Sequence, residues 1–175
     1  AIQISIACFI WAGGVFIDKI SFLEFSGNQI LIDLPLFLSF FITVVWIVGF
    51  TNSFNWIDGI DGLAGSIALI NLFGNFFIAI FTNNNSLALL ISILIGCCLA
   101  FEKFNFKPAT IIMGDGGSYF LGYNLACISI LNLNSGKGIV DIFVLILLFF
   151  VPLIDMIYVI SMRILNSKSP FFGDR

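Results

Sequence analysis

Long apolar runs alternate with short polar segments along the whole chain. A helix that crosses a bilayer needs about 20 mostly apolar residues, and six runs reach or approach that length. These runs cover residues 1–17, 34–51, 63–81, 87–101, 119–133 and 139–162. The pattern predicts an all-α polytopic membrane protein with about six transmembrane helices, which form a single, partial domain over residues 1–175.

A different pattern separates the first two runs. Short β-branched and aromatic stretches at 20–25 and 30–32 flank the sequence Ser26-Gly27-Asn28-Gln29, which is typical of a turn. We therefore predict a small β-hairpin at the membrane surface, on the non-cytoplasmic side.

Composition agrees with a membrane protein and excludes several other classes. Hydrophobic residues make up 60% of the chain and charged residues 10%, whereas a soluble domain has about 25% charged residues. The mean hydropathy is +1.13. The net charge of −3 is too small and too scattered to indicate a nucleic-acid partner. The four cysteines are Cys8, Cys97, Cys98 and Cys127. They lie in apolar runs and show no C-x-x-C spacing, so neither a zinc site nor a disulfide framework is indicated.

The start of the chain resembles a membrane helix rather than a signal peptide, because it has no basic start and no small-residue cleavage site. It also has no initiator methionine. We expect the chain to have been cut at its start.

Lysine and arginine predict the orientation. Six spans place the polar segments 52–62, 102–117 and 163–175 on one side, with the hairpin and the turns at 82–86 and 134–138 on the other. Basic residues concentrate on the cytoplasmic side of membrane proteins. Two basic residues, Lys19 and Lys137, lie on the second side. The other five lie on the first side: Lys103, Lys107, Arg163, Lys168 and Arg175. The first side is therefore predicted to face the cytoplasm.

The polar stretch N-S-F-N-W-I-D-G-I-D-G-L-A-G at 52–65 lies on this side. Asp58 and Asp61 are each followed by a glycine, so the backbone can bend and approach a ligand closely there. Because they are three residues apart, the two acids can face one way in a helical turn. Two amides, Asn52 and Asn55, precede them.

A second motif, Met113-Gly114-Asp115-Gly116-Gly117-Ser118, shares this face. Mg²⁺ binds one or two carboxylates, keeps several waters and completes its shell with phosphate oxygens. The helices that follow the two motifs direct their N-termini, which favour anions, at the same pocket. Asp58, Asp61 and Asp115 are thus predicted to hold a metal-bound diphosphate. Either motif alone could be a turn or a helix N-cap, and that alternative stays open for both motifs.

Three segments resemble one enzyme family, the polyprenyl-phosphate N-acetylhexosamine-1-phosphate transferases of glycosyltransferase family 4. They are 52–65, N-F-K-P-A-T-I-I-M-G-D-G-G-S-Y-F-L-G at 105–122 and V-P-L-I-D-M-I-Y-V-I-S-M-R-I-L-N-S-K-S-P-F-F-G-D-R at 151–175, in family order and spacing. The ending K-S-P-F-F-G-D-R resembles the WecA-type branch, which makes lipid-linked GlcNAc-1-phosphate.

The resemblance implies a polytopic enzyme of the bacterial cell membrane with its active site on the cytoplasmic face. Such an enzyme uses Mg²⁺, or Mn²⁺, to move a sugar-1-phosphate from a UDP-sugar to polyprenyl (undecaprenyl) phosphate, with release of UMP. This is the first membrane step of cell-envelope polysaccharide synthesis. The partners implied are the two substrates, the lipid bilayer and a second copy in a homodimer. The MraY-type branch, which transfers phospho-MurNAc-pentapeptide, is the alternative.

The resemblance also assigns roles to individual residues. Asp115 and Asn55 are implied as magnesium ligands, and Asp58, Asp61 and Asp115 as catalytic groups. The residues implied in substrate binding are Asn52, Asn55, Gly59, Ile60, Gly116, Gly117 and Ser118.

Three departures limit this transfer of roles. The family has an aspartate pair upstream and an H-x-H-H segment downstream, and neither is in this chain, so the 175-residue piece is expected to be inactive alone. Thr110 and Ile112 stand where relatives often have a basic residue and an aromatic one.

Two other classes of protein stay open. A transporter should show an inverted repeat, and the two halves of the chain do not resemble each other. A CDP-alcohol phosphotransferase should show D-G-x-x-A-R, and Gly65 stands where the arginine would be.

Overall fold

The computed structural model describes residues 2–23, 29–135 and 142–166. Within these ranges the chain is helical apart from one antiparallel hairpin, as predicted. The elements in chain order are α1 Ile2–Ala12, β1 Lys19–Leu23, β2 Gln29–Asp33, α2 Leu36–Ile57, α3 Leu63–Phe81, α4 Asn85–Asn105, α5 Gly114–Ser135, α6 Ile142–Leu148 and α7 Phe150–Leu165.

Fewer helices are long and apolar enough to cross a membrane than the sequence predicts. Among the described residues α2, α3 and α4 satisfy both conditions, and α6 with α7 makes a fourth if that bent pair is one span. Helix α1 has 11 residues. The structure therefore supports three or four of the six predicted spans and a multi-pass membrane protein.

The hairpin has the predicted form. Ile20 pairs with Ile32 and Lys19 with Asp33, and the last pair also makes an ion pair of 3.4 Å on the surface. Most of the predicted turn lies outside the described residues. Its last residue, Gln29, pairs with Leu23 and so belongs to the second strand.

Helix α2 extends six residues beyond its predicted end and takes in the start of the acidic stretch. Its polar side chains there have helical or interhelical partners. Ser53 Oγ donates to the carbonyl of Pro152 at 2.7 Å, and Asn52 Nδ2 donates to the carbonyl of Val48 at 2.7 Å. Polar side chains that have hydrogen-bond partners can remain in a helix interior. The polar residues that follow the apolar run therefore do not end α2.

Helices α2 and α5 cross at very close range. A Cβ on Gly122 of α5 would lie 2.7 Å from the carbonyl oxygen of Phe50 and 2.9 Å from Cα of Thr51. Small residues allow helix backbones in membranes to approach in this way. Farther from the acidic stretch, Trp46 Nε1 of α2 donates to Ser129 Oγ of α5 at 2.9 Å. These contacts fix the distance between the two helices.

A ladder of buried amides joins α3 to α5. Asn132 Nδ2 of α5 donates to the carbonyl oxygen of Asn75 at 3.0 Å and to its side-chain oxygen at 2.9 Å. Asn75 Nδ2 in turn donates to the carbonyl of Asn71 at 2.9 Å. All three asparagines are fully or almost fully buried, so these polar groups face the bundle interior and not lipid.

The predicted span at 139–162 is two helices that bend by 70°. Proline has no N–H, so Pro152 cannot bond back to the carbonyl of Leu148, the last residue of α6. Pro152 instead lies in the first turn of α7, where the missing donor costs nothing. The predicted span corresponds to this bent pair of helices, and its first three residues lie outside the described ranges.

Candidate active site

The acidic stretch begins in the last turn of α2 and continues in a non-helical turn. Asp58 is the C-cap of α2, and its N–H donates to the carbonyl of Phe54 at 3.2 Å. Residues 59–62 then form turns, and Gly62 has φ +75°, a left-handed conformation that glycine adopts readily. The expectation that Asp58 and Asp61 share one helical turn is wrong, because α2 ends at Ile57 and both acids lie beyond it.

The two motifs meet at Asn55. Its Nδ2 donates to Asp115 Oδ1 at 2.9 Å and to Ser118 Oγ at 3.0 Å. Ser118 is fully buried, and its hydroxyl donates to the carbonyl of Gly114 at 3.1 Å. The end of α2 therefore holds the first turn of α5, which carries Asp115, in one orientation.

Helix α5 begins at Gly114, about a turn earlier than the sequence pattern predicts. Gly114 has φ +65°, and its backbone N–H lies near the Asp58 carboxylate. Burial raises the pKa of Asp58 above its ordinary value. The Gly114 N–H offsets part of this rise, and the nearby Asp115 charge adds to it. Asp58 and Asp115 are thus close enough to repel each other.

Asp61 has a separate partner. Its Oδ2 accepts the backbone N–H of Ala109 at 3.2 Å. Across the described ranges no three His, Cys, Asp or Glu side chains are arranged to hold a metal ion. Asp58 and Asp115 lie close enough to interact, whereas Asp61 is bonded to Ala109, and the shared role of the three acids stays a prediction.

Two carboxylates suit magnesium, because this ion commonly takes one or two from the protein and the rest of its ligands from water and phosphates. Asp58 and Asp115 are the residues that fit. Asn55 points its amide nitrogen at Asp115, so in this arrangement it positions that carboxylate. Its role as a metal ligand stays a prediction.

The other predicted substrate-binding residues fall into two groups. Gly59 and Gly116 border open space, since a Cβ on either would meet nothing within 4 Å, and Ile60 is 65% exposed; all three are accessible to a ligand. Gly117 instead makes room for Met113, whose Cγ lies 2.5 Å from the position of an added Cβ. Asn52 donates to Gln3 Oε1 of α1 at 2.9 Å, so it ties α1 to α2.

An apolar cavity of about 770 Å³ opens beside Gly116. It lies between α1, α2 and α5, and its walls include Ile6, Ile47, Tyr119 and Phe120. The cavity therefore adjoins the residue that follows Asp115.

Asn105 belongs to the site although no sequence motif indicates its role. Its Oδ1 accepts the N–H of Gly62 at 2.9 Å, and its Nδ2 donates to the carbonyl of Ile111 at 2.8 Å. Asn105 therefore links the turn after Asp61 to the loop before Asp115. The available sequence signal is an amide at the end of a long apolar helix. The residue pattern does not show that this amide binds Gly62 and Ile111.

The raised pKa of Asp58 predicts a trade between stability and activity. A carboxyl whose pKa is raised by folding contributes stability below its unfolded pKa, and that contribution is lost as the pH rises through the folded pKa. At neutral pH without metal, Asp58→Asn in the full-length protein should therefore raise the unfolding temperature by a few degrees, and the gain should shrink as the pH is lowered. Thermal unfolding in excess chelator measures this.

Asp33→Asn is the matched control, since Asp33 is exposed on the hairpin and should leave the unfolding temperature unchanged. A lower unfolding temperature for Asp58→Asn at neutral pH would contradict the electrostatic account. Turnover should fall in this variant, because a charge beside Asp115 is lost.

These features define a multi-pass helical membrane protein in which carboxylates from two distant chain segments meet where α2 ends and α5 begins. A family model described as glycosyl transferase family 4 matches residues 1–133. The chain belongs to this family.

Curated relatives agree with the family. A probable undecaprenyl-phosphate N-acetylglucosaminyl 1-phosphate transferase of Bacillus subtilis is 40% identical over 130 residues, which cover 73% of this chain and 36% of the relative. A phospho-N-acetylmuramoyl-pentapeptide-transferase of Streptococcus uberis is 48% identical over 93 residues, 53% of this chain and 28% of the relative. A phospho-N-acetylmuramoyl-pentapeptide-transferase of Streptococcus pyogenes is 44% identical over 111 residues, which cover 63% of this chain and 32% of the relative. The chain thus spans about a third of the length of these relatives.

Proposed function

We infer that the protein containing this chain transfers a sugar-1-phosphate, GlcNAc-1-phosphate, from a UDP-sugar to a polyprenyl phosphate and releases UMP. The site would face the cytoplasm of a bacterial cell, and the reaction would be the first membrane step of envelope polysaccharide synthesis. The observation that carries this proposal is the bond from Asn55 to Asp115, because it joins the two acidic motifs into one site.

The proposed chemistry explains why acids are needed at this site. An oxygen of the acceptor phosphate attacks the phosphorus attached to the sugar, a new P–O bond forms, and the bond to the bridging oxygen breaks so that UMP leaves with that oxygen. Both reactants are anions, so the reaction depends on positioning and on charge neutralisation. Mg²⁺ supplies positive charge to the phosphate oxygens when it is bound. Asp58 and Asp115 would hold it.

The remaining groups would bind and orient the donor. Asn55 fixes the Asp115 carboxylate. The first N–H groups of a helix have no partner within it and attract anions. We therefore propose that the diphosphate binds at the first turn of α5, near Gly116. Gly59 and Gly116 border open space, which would allow the backbone to contact the nucleotide closely.

The cavity between α1, α2 and α5 supports a lipid acceptor. Its walls are mainly apolar side chains, and it reaches Gly116 beside the acidic site. An isoprenoid chain that moves from the bilayer into this cavity stays in apolar surroundings, so its phosphate could reach the site without exposing the chain to water.

A second donor is favoured by a specific observation. Two of the relatives, at 48% and 44% identity, are named phospho-N-acetylmuramoyl-pentapeptide-transferases. MurNAc-pentapeptide phosphate is therefore the alternative group transferred, by the same reaction at the same site.

The test uses the full-length protein in membranes with undecaprenyl phosphate and magnesium. UDP-GlcNAc and UDP-MurNAc-pentapeptide are supplied separately, and UMP release is measured. We expect UMP with UDP-GlcNAc; release only with the pentapeptide donor would support the alternative. If neither donor gives UMP above a control without acceptor, the proposed function is wrong.

The cytoplasmic location predicts a labelling pattern. With the native cysteines replaced, Lys107→Cys should react with an impermeant thiol reagent only after cells are permeabilised, because a short basic loop is retained in the cytoplasm. Asn83→Cys, in the turn before α4, is the matched control and should react in intact cells. The reverse pattern at the two positions would contradict the proposed orientation.

A further inference from the structure

Glu102, in the last turn of α4, is a buried carboxylate that faces the start of α3. Its side chain is 2% exposed. A Cβ on Gly62 would lie 3.5 Å from Oε2, and a Cβ on Gly65 would overlap Oε1. The Ser66 hydroxyl lies beside the carboxylate, yet within the described ranges no group reaches either oxygen with hydrogen-bonding geometry.

A buried carboxylate requires compensation, because an unpaired charge is costly to remove from water. The compensation available here is the N-terminus of α3. This helix begins at Leu63, and its N-cap is Gly62, which has no side chain to cap it. The N–H groups of Gly62 and Leu63 already donate to Asn105 Oδ1 and to the Ile60 carbonyl, so it is the positive end of the helix dipole that stabilises an anion at such a position. Gly65 leaves the space that the carboxylate occupies.

We propose that Glu102 is the resident anion of the α3 N-terminus and a positioning residue for the turn that carries Asp61. It follows that this N-terminus is already occupied and that the donor's phosphates bind at the α5 N-terminus. This differs from the sequence-based expectation that both helices direct free N-termini at the diphosphate. The inference rests on the proposed function for the identity of the anion that binds at α5.

The link from Glu102 to Asp61 is short. One turn along α4, Asn105 accepts the N–H of Gly62 at 2.9 Å, so the last turn of α4 contacts α3 through two polar side chains. Asp61 immediately precedes Gly62 and is held by the N–H of Ala109 at 3.2 Å. Loss of the Glu102 charge would release the start of α3 and move Asp61 relative to Asp58.

The experiment measures binding of UDP to the full-length protein in magnesium, by titration calorimetry well below the unfolding temperature of every variant. Glu102→Gln removes the charge and keeps the shape, and we expect UDP affinity to fall on the order of tenfold. The KM for the UDP-sugar should rise with it, while the KM for polyprenyl phosphate should stay unchanged. A purely structural loss would not separate the two substrates in this way.

Gly65→Ala tests the same contact from α3, because the added methyl group displaces the carboxylate. It should weaken UDP binding as well, and the double variant Gly65→Ala with Glu102→Asp should recover part of the loss, since the shorter side chain withdraws. Gly96→Ala is the matched control: it is also a helical glycine, in α4, and an added Cβ there meets nothing within 4 Å. This pair of variants decides the question if Glu102→Gln does not fold.

Wild-type UDP affinity in Glu102→Gln, or no recovery in the double variant, overturns the proposal. If the wild-type protein binds no UDP, the proposed function fails, and thermal unfolding then tests the resident anion separately. In that case a fall of about 5 °C for Glu102→Gln supports the anion. An unchanged unfolding temperature overturns it.

Discussion

Asp115→Asn in the full-length enzyme is expected to lower UMP release by about a hundredfold to a thousandfold, the usual cost of removing a group that stabilises transition-state charge. The substitution keeps the shape of the side chain and removes its negative charge. Asn55 would still have an oxygen to bind, so the first turn of α5 should keep its position. The loss would then come from weaker metal binding beside the diphosphate.

The measurement is UMP release over a magnesium titration, with the unfolding temperature recorded for each variant. Asp33→Asn makes the same chemical change on the exposed hairpin and should leave turnover unchanged. Near-normal turnover of Asp115→Asn at low magnesium would show that Asp115 is not a metal ligand.

Gly122→Val is expected to reduce turnover to a similar degree without touching any substrate. The carbonyl oxygen of Phe50 lies 2.7 Å from the position of an added Cβ, so α2 and α5 must separate to admit the side chain. Overpacking of this kind costs about 1–3 kcal/mol. Asp115 lies two helical turns before Gly122, so the separation would lengthen the contact between Asn55 and Asp115, and a displacement of about 1 Å at a reacting site can cost a hundredfold.

Gly96→Val is the control, because it places the same residue in the middle of α4 at a position with open space. Turnover and unfolding temperature of both variants are measured in the same detergent. If Gly122→Val is destabilised and yet turns over normally, then the spacing of α2 and α5 does not control the site.

The sequence predicted the helices more successfully than their ends. Apolar runs locate α2, α3, α4 and α5 because burial and lipid contact both require them. Their ends depend on partners that are distant in sequence. Helix α4 continues to Asn105 because Glu102 finds space against Gly65. Helix α2 continues past residue 51 because Ser53 finds the carbonyl of Pro152, so in both cases a tertiary contact overrides local polarity.

The sequence predicts that two loops meet to form the site, but it does not predict which side chains contact each other there. Alternating spans place Asp58 and Asp115 on one face whatever the detailed packing. Whether Asp61 joins them depends on the left-handed Gly62 and on its bond to Asn105, which a pattern of residue types does not specify. In the structure Asp58 lies near Asp115 and Asp61 is bonded to Ala109, while the catalytic roles of all three acids stay predictions.

The amide ladder between α3 and α5 has a consequence for biogenesis. When α3 first leaves the translocon, Asn75 has no partner on another helix, because Asn132 lies 57 residues later in the chain. An amide in hydrocarbon favours any state in which it is bonded or solvated. Helix α3 therefore gains by remaining near the translocon until α5 arrives, even though α4, which packs against α3 through Glu102 and Asn105, is synthesised in between. The bond between Asn132 and Asn75 forms only after all three helices have been made.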